Sequence, residues 1–242
     1  MYAGVMKSSK LIGLIGGTSW QSTSSYYIKI NQGIGTALGG MHSGRILLTS
    51  VDFEPFVQWM NAGKWDELAT ALSNEAVRLE NAGADCLLIC TNTMHKVADR
   101  VQEAVKTPLL HIGDSLAEAL STNGVKKALL LGTTFTMREG FLKDRLREHG
   151  IQVVLPSEDR LDDFDRIIFD ELCKGIVSER AKELSLNTIL KAQSEGVDGV
   201  ILGCTELAML GLDSPVPCFD TTDIHAMAAV NFALQTPVPQ LV

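Results

Sequence analysis

An α/β fold of two pseudo-symmetric, Rossmann-like domains is predicted for this 242-residue chain, each domain a parallel sheet flanked by helices. Three observations predict it. Short apolar, β-rich runs alternate with longer amphipathic stretches almost from end to end. Runs such as DCLLIC (85–90) and DGVILG (198–203) are hydrophobic without alternation, as strands covered on both faces are. Two stretches of the chain also repeat, at a spacing suited to domains.

Strands are expected at 11–15, 45–51, 85–90 and 109–111, and again at 127–131, 152–155, 198–202 and 216–219. Amphipathic helical patterns fall between them, most clearly at 65–82, 138–149 and 178–195. Parallel strands need crossovers, and crossovers of this length are right-handed and helical.

The repeat is read by placing 83–93 (GADCLLICTNT) over 196–206 (GVDGVILGCTE), which needs no gap. Gly83 meets Gly196, Asp85 meets Asp198 and Cys90 meets Gly203. Thr91 therefore meets Cys204, although the eye first pairs the two cysteines. LIGGTSW (14–20) likewise resembles LLGTTFT (130–136). Gly16 precedes Thr91 by 75 residues and Gly132 precedes Cys204 by 72, so two matched halves are the simplest account. The first is drawn at 1–107, completed by a C-terminal helix at 222–242, and the second at 108–221. Open α/β sheets bind ligands beyond the carboxyl ends of their strands, so the site is expected in the cleft between the domains.

Composition narrows the function. Hydrophobic residues make up 45% of the chain, ample for real cores, and the net charge of −8 comes without a basic run. Nucleic acid and anionic membranes are therefore poor partners. No apolar run approaches the ~20 residues of a membrane helix, and the N-terminus lacks a convincing cleavage site, so a cytoplasmic location is expected. Five cysteines in or beside apolar runs read as free thiols.

The GLIGGT turn (13–18) lacks G-x-G-x-x-G, and no GK[ST] follows, so it argues against a dinucleotide or phosphate loop. Gly16 and Gly17 suit a tight turn, with Thr18 and Ser19 capping the next helix. Cys86, Cys90 and His95 read as packing residues rather than metal ligands, because no second ligand pair accompanies them. His111 and His225 read as structural histidines at element junctions. Lys174, at a helix end before Gly175, is a weak candidate for holding a carboxylate. Cys204 stands at a strand tip with Thr205 and Glu206 opening a helix, a position expected to lower a thiol pKa and favour a nucleophile or base.

With these stretches read, the chain resembles the aspartate/glutamate racemase family, in particular its broad aspartate racemase group. IGLIGGTSWQSTSSYY, CTNTMHKVAD, LLGTTFTM, LGCTE and FDTTDIHA carry the resemblance, in order, across residues 11–228. It implies two pseudo-symmetric α/β domains, an amino-acid substrate and a homodimer. It also implies no pyridoxal phosphate, metal or nucleotide. Two opposed residues, usually both cysteines, would then exchange protons with the two faces of Cα. The family's first motif is Cys-Asn-Thr. Here Asn92 and Thr93 match its end, so Thr91 holds the cysteine's place and Cys90 lies one residue early.

The resemblance thus implies catalysis by Thr91 and Cys204, with Cys204 as thiolate base and Thr91 as proton donor on the opposite face. L-aspartate or L-glutamate would be the better substrate. Substrate contacts carried over are Asn92, Thr93, Thr205 and Glu206, with Thr18, Thr133 and Thr136 from the first loops and Lys174 as a weak cation. A maleate isomerase, a malonate decarboxylase-like enzyme and a non-catalytic amino-acid binding protein stand as alternatives.

Overall fold

The computed structural model describes residues 9–235; the ends of the first-domain expectation at 1–8 and 236–242 lie outside them. Two compact units are formed. Among the described residues, unit 1 comprises 9–90, 97–110 and 226–235, and unit 2 comprises 91–96 and 111–225.

Unit 1 is built on a parallel sheet in the order β2 (Ile46–Ser50), β1 (Ile12–Gly16), β3 (Cys86–Ile89). Helices α1 (Trp20–Leu38), α2 (Phe53–Asn61), α3 (Trp65–Asn81) and α4 (Ala98–Glu103) complete it. Its core joins Ile12, Leu14 and Leu88 of the sheet to Tyr26, Ile30 and Ile34 of α1. Ala226, Ala229, Val230 and Ala233 are in the same cluster.

Unit 2 has a parallel sheet in the order β5 (Gln152–Val154), β4 (Lys127–Leu131), β6 (Gly199–Leu202), β7 (Cys218–Asp220). Around it lie α5 (Ile112–Thr122), α6 (Thr134–Arg138), α7 (Gly140–Glu148), α8 (Glu158–Arg166) and α9 (Glu179–Ser194). α8 runs on through a π turn, Ile167–Glu171, and a 3-10 turn, Leu172–Lys174, and ends at Gly175 with φ 74°. The last helix, α10 (Thr221–Leu234), follows β7.

The α/β class with parallel, helix-flanked sheets is therefore as the sequence predicts, and most element bounds differ by one or two residues. One strand shrinks. The expected strand at 109–111 is a single bridge between Leu109 and Leu87, because Pro108 lacks a donor and His111 already caps α5. That bridge occupies, in unit 1, the place that β7 takes beside β6 in unit 2.

The internal repeat has a physical basis in paired main-chain bonds. Asp85 N–H donates to Leu11 O at 2.7 Å, and Asp198 N–H donates to Lys127 O at 2.9 Å. The carboxylates return the bond: Asp85 accepts from Leu11 N–H, and Asp198 from the N–H groups of Lys126 and Lys127. Gly83 (φ 89°) and Gly196 (φ 86°) make the same left-handed turn just before each aspartate. At the far end Cys90 N–H donates to Ile15 O, and Gly203 N–H to Leu131 O. Gly83, Asp85 and Cys90 fall on Gly196, Asp198 and Gly203 in the gapless alignment.

Asp198 clamps the starts of two neighbouring strands with charge-assisted bonds. Asp198→Ala is expected to destabilise the protein by about 1–2 kcal/mol, discounted for its exposed setting. Urea titration should show the midpoint fall with an unchanged slope; an unmoved midpoint would contradict the role.

Candidate active site

The first turn of each unit is set by steric necessity. A Cβ on Gly17, whose φ is 94°, would lie 2.2 Å from Val51 O, and one on Gly16 would lie 2.4 Å from Thr23 Cγ2. Thr23 Oγ1 accepts from Gly17 N–H, Ser19 caps α1 by accepting from Ser22 N–H, and Thr18 is buried in unit 1. In unit 2 the corresponding turn uses Thr133, which caps α6 by accepting from Thr136 N–H. The Thr133 and Thr136 hydroxyls lie 3.1 Å apart. Thr136 packs beside Gly203, where an added Cβ would come within 3.4 Å of its methyl group.

Cys90 is fully buried, and burial pushes its thiol far up. Its carbonyl accepts from Ser22 Oγ at 2.7 Å, so it belongs to the wall of the sheet in unit 1. Cys86 is equally buried, its thiol pushed up to about 12 mainly by desolvation. The chain changes unit at the next residue. Thr91, Asn92 and Thr93 are half-buried and pack with unit 2, where Thr93–Val97 forms a 3-10 turn.

Three interactions hold this short segment. Asn92 Nδ2 donates to Thr221 Oγ1 at 3.0 Å, and Thr221 Oγ1 donates onward to Leu202 O at 3.0 Å, at the tip of β6. Lys96 pairs with Glu139 at 2.8 Å. His95 lies edge-on to His111 and His225, at centroid distances of 4.8 and 5.3 Å. From sequence Thr221 stood out only as part of FDTTDIHA, and His95, His111 and His225 only as packing or structural residues.

Two residues beyond Leu202 stands Cys204, half-buried, with a 3-10 turn at Thr205–Leu210. Its Sγ–H donates to Glu206 Oε2 at 2.9 Å, and Thr205 Oγ1 donates to the same oxygen at 2.6 Å. Burial first, and then the Glu206 carboxylate, hold the thiol well above its ordinary range. The expected lowering by a helix N-terminus is thus corrected: the turn is 3-10, and a carboxylate faces the sulfur. Glu206, expected as a substrate contact, is bonded to the thiol. Cys173, in the 3-10 turn near Thr205–Leu210, is exposed and has its own thiol raised by desolvation and by Glu206. Lys174 is exposed and lies 3.7 Å from Asp170, so its charge is shared with an acid of its own segment.

Unit 2 therefore assembles Asn92, Thr136, Cys204, Thr205 and Glu206 around the tips of β4, β6 and β7, while Thr18 lies in unit 1. No group of three or more acidic, Cys or His residues suited to a metal occurs among the described residues. Nor is any described helix long and apolar enough to cross a membrane.

The Asp/Glu/Hydantoin racemase family matches residues 15–229. The chain belongs to this family. It is similar to the broad specificity amino-acid racemase RacX of Bacillus subtilis (strain 168), with 26% identity over 171 residues, 69% of this chain and 72% of that one. Among solved structures, a candidate Asp/Glu racemase from Yersinia pestis is 47% identical with a TM-score of 0.90, over 93% of this chain and all of the other. An aspartate racemase homologue from Pyrococcus horikoshii OT3 is 37% identical with a TM-score of 0.84, over 93% of this chain and 99% of the other. Glutamate racemase RacE1 of Bacillus anthracis, at 16% identity and a TM-score of 0.67 over 94% of this chain and 83% of the other, shares the fold. Membership supports amino-acid racemisation as the activity.

Two outcomes follow from the local electrostatics. Glu206→Gln removes the negative charge beside Cys204, so the pH midpoint for iodoacetamide labelling of that cysteine, followed on its own peptide by mass spectrometry, should move down. His95 is held neutral by burial and by the neighbouring imidazoles, its pKa well below 6.5. The unfolded chain then binds a proton that the folded one refuses, so stability present above about pH 6.5 is lost as pH falls, by up to about 1.4 kcal/mol per unit for this residue. Denaturant titrations between pH 7.5 and 5.5 should show that slope, and His95→Asn should flatten it.

Proposed function

We propose that this protein racemises an acidic amino acid, aspartate or glutamate, without a cofactor, using Cys204 and Thr91 on opposite faces of Cα. The observation that carries the reading is the matched register: Thr91 and Cys204 each follow the residue whose N–H bonds to the end of the first strand of its half. Inversion at carbon needs a base on one face and an acid on the other, held in place beforehand. Asn92, Thr93 and Thr205 are the proposed partners of the α-carboxylate, with Thr133 and Thr136 supplying further hydroxyls.

Cys204 begins protonated and bonded to Glu206. In the proposed step Glu206 accepts the thiol proton, the thiolate takes the α-proton, the Thr91 hydroxyl delivers its proton to the other face and recovers one from solvent, and Glu206 releases its proton to solvent. A thiolate is far more accessible near neutral pH than a threonine alkoxide, because a thiol is much the stronger acid. Exchange of the α-proton from the Cys204 face is therefore the proposed faster step, and by the family resemblance the L-enantiomer is the proposed preferred substrate.

Chiral chromatography of L-aspartate and L-glutamate after incubation tests the activity. Cys204→Ser should lower racemisation by a hundredfold or more, on the order of removing a catalytic acid–base group. Full activity in that variant would sink the scheme, and equal rates of α-deuterium uptake from both enantiomers would remove the asymmetry.

A further inference from the structure

We infer that His95 is a positioning residue for Thr91, holding the main chain of the proposed proton donor through a bond from its imidazole Nδ1–H to the Thr91 carbonyl. The inference rests on the Thr91 and Cys204 reading above and names a residue that acts through Thr91.

The bond measures 2.8 Å. A carbonyl oxygen can only accept, so the proton must sit on Nδ1 and the neutral ring has a bare Nε2. That Nε2 is buried and has no hydrogen-bond partner among the described residues. A residue kept only for packing would avoid this expense, since an aliphatic or phenyl side chain fills the same space without a stranded acceptor. The expense is understandable if the Nδ1 donor is what matters.

Local backbone geometry shows why a side chain is needed. In an α-helix the N–H of residue 95 would bond to the carbonyl of residue 91. Here the turn is 3-10, and His95 N–H is given to Asn92 O at 3.0 Å. The imidazole reaches the Thr91 carbonyl in its place. His111 and His225 fix the plane of the ring by edge contacts, and His111 is itself fixed because its Nδ1 accepts from Gly113 N–H at 3.0 Å. Asn92 is tied separately, through its side-chain amide, to Thr221 Oγ1, so Thr91 and its neighbour are held from different elements. A proton donor displaced by an ångström loses much of its rate, and Thr91 is a weak acid with little to spare.

The test separates the two faces of Cα. Purified wild type, His95→Phe and His95→Asn are incubated with L-aspartate and L-glutamate in deuterium oxide, and deuterium uptake with retention is compared with inversion. Phenylalanine keeps the ring and removes the donor; asparagine keeps a donor. For His95→Phe, inversion should fall about tenfold or more while uptake with retention from the Cys204 face changes much less, so their ratio rises about tenfold. For His95→Asn the ratio should stay within about threefold of wild type. Parallel loss of both rates in His95→Phe, with the ratio unchanged, would mark a merely structural histidine and overturn the inference. Should His95→Phe not fold, a tenfold ratio change in His95→Asn overturns it equally. A wild type that exchanges no α-proton defeats the racemase reading instead. The bond itself is judged by nitrogen NMR of labelled histidines, where an Nε2–H tautomer at His95 overturns the inference and an Nδ1–H tautomer upholds the bond to the Thr91 carbonyl.

Discussion

The main-chain bond that closes the third strand onto the first is the constraint on which the rest depends. In unit 1 it runs from Cys90 N–H to Ile15 O, and in unit 2 from Gly203 N–H to Leu131 O. A strand residue that donates inward to its neighbour is committed to the sheet, and the next residue is the first able to leave it. That position holds Thr91 in one half and Cys204 in the other. At the opposite end the aspartate clamps and the left-handed glycines set where each strand begins, so the register is fixed from both sides. A slip of one residue would turn Cys90 out of the core and Thr91 into it, and the buried surface of β3 forbids that.

Much of this was legible in the sequence because it is carried by local chemistry. DCLLIC and DGVILG announce strands covered on both faces, and the glycine and aspartate before each are the residues that a left-handed turn and a strand clamp require. The gapless repeat could place Thr91 opposite Cys204 in alignment because the same bonds recur in both halves. The strand expected at 109–111 was misjudged for a reason also local: Pro108 and the capping role of His111 leave one residue to pair. Periodicity measures apolar content and says little about which main-chain groups are already engaged.

The electrostatics of Cys204 were not legible in that way. The helix-terminus rule treats the main chain as the dominant field, and here the side chain two residues on dominates after burial. A 3-10 turn brings Glu206 back against the sulfur, with Thr205 bonded to the same oxygen, and no spacing rule distinguishes that from an α-helical start. Lys174 met the same difficulty. Its place before Gly175 was readable, but its pairing with Asp170 depends on the π and 3-10 turns that end α8.

These electrostatics constrain the order of proton movements in the proposed reaction. Cys204 and Thr91 both hold their protons at rest, and the base in contact with the thiol is Glu206. A proton must therefore move from sulfur to carboxylate before sulfur can take one from carbon. The raised thiol makes that first transfer uphill in the free protein, where alkylation of Cys204 is expected to be slow. A substrate that brings an ammonium group to the thiolate would offset part of the cost, because a nearby cation favours the ionised sulfur that burial and Glu206 oppose. In the proposed reaction activation would then coincide with binding, and the reactive thiolate would form only when there is an α-proton for it to take.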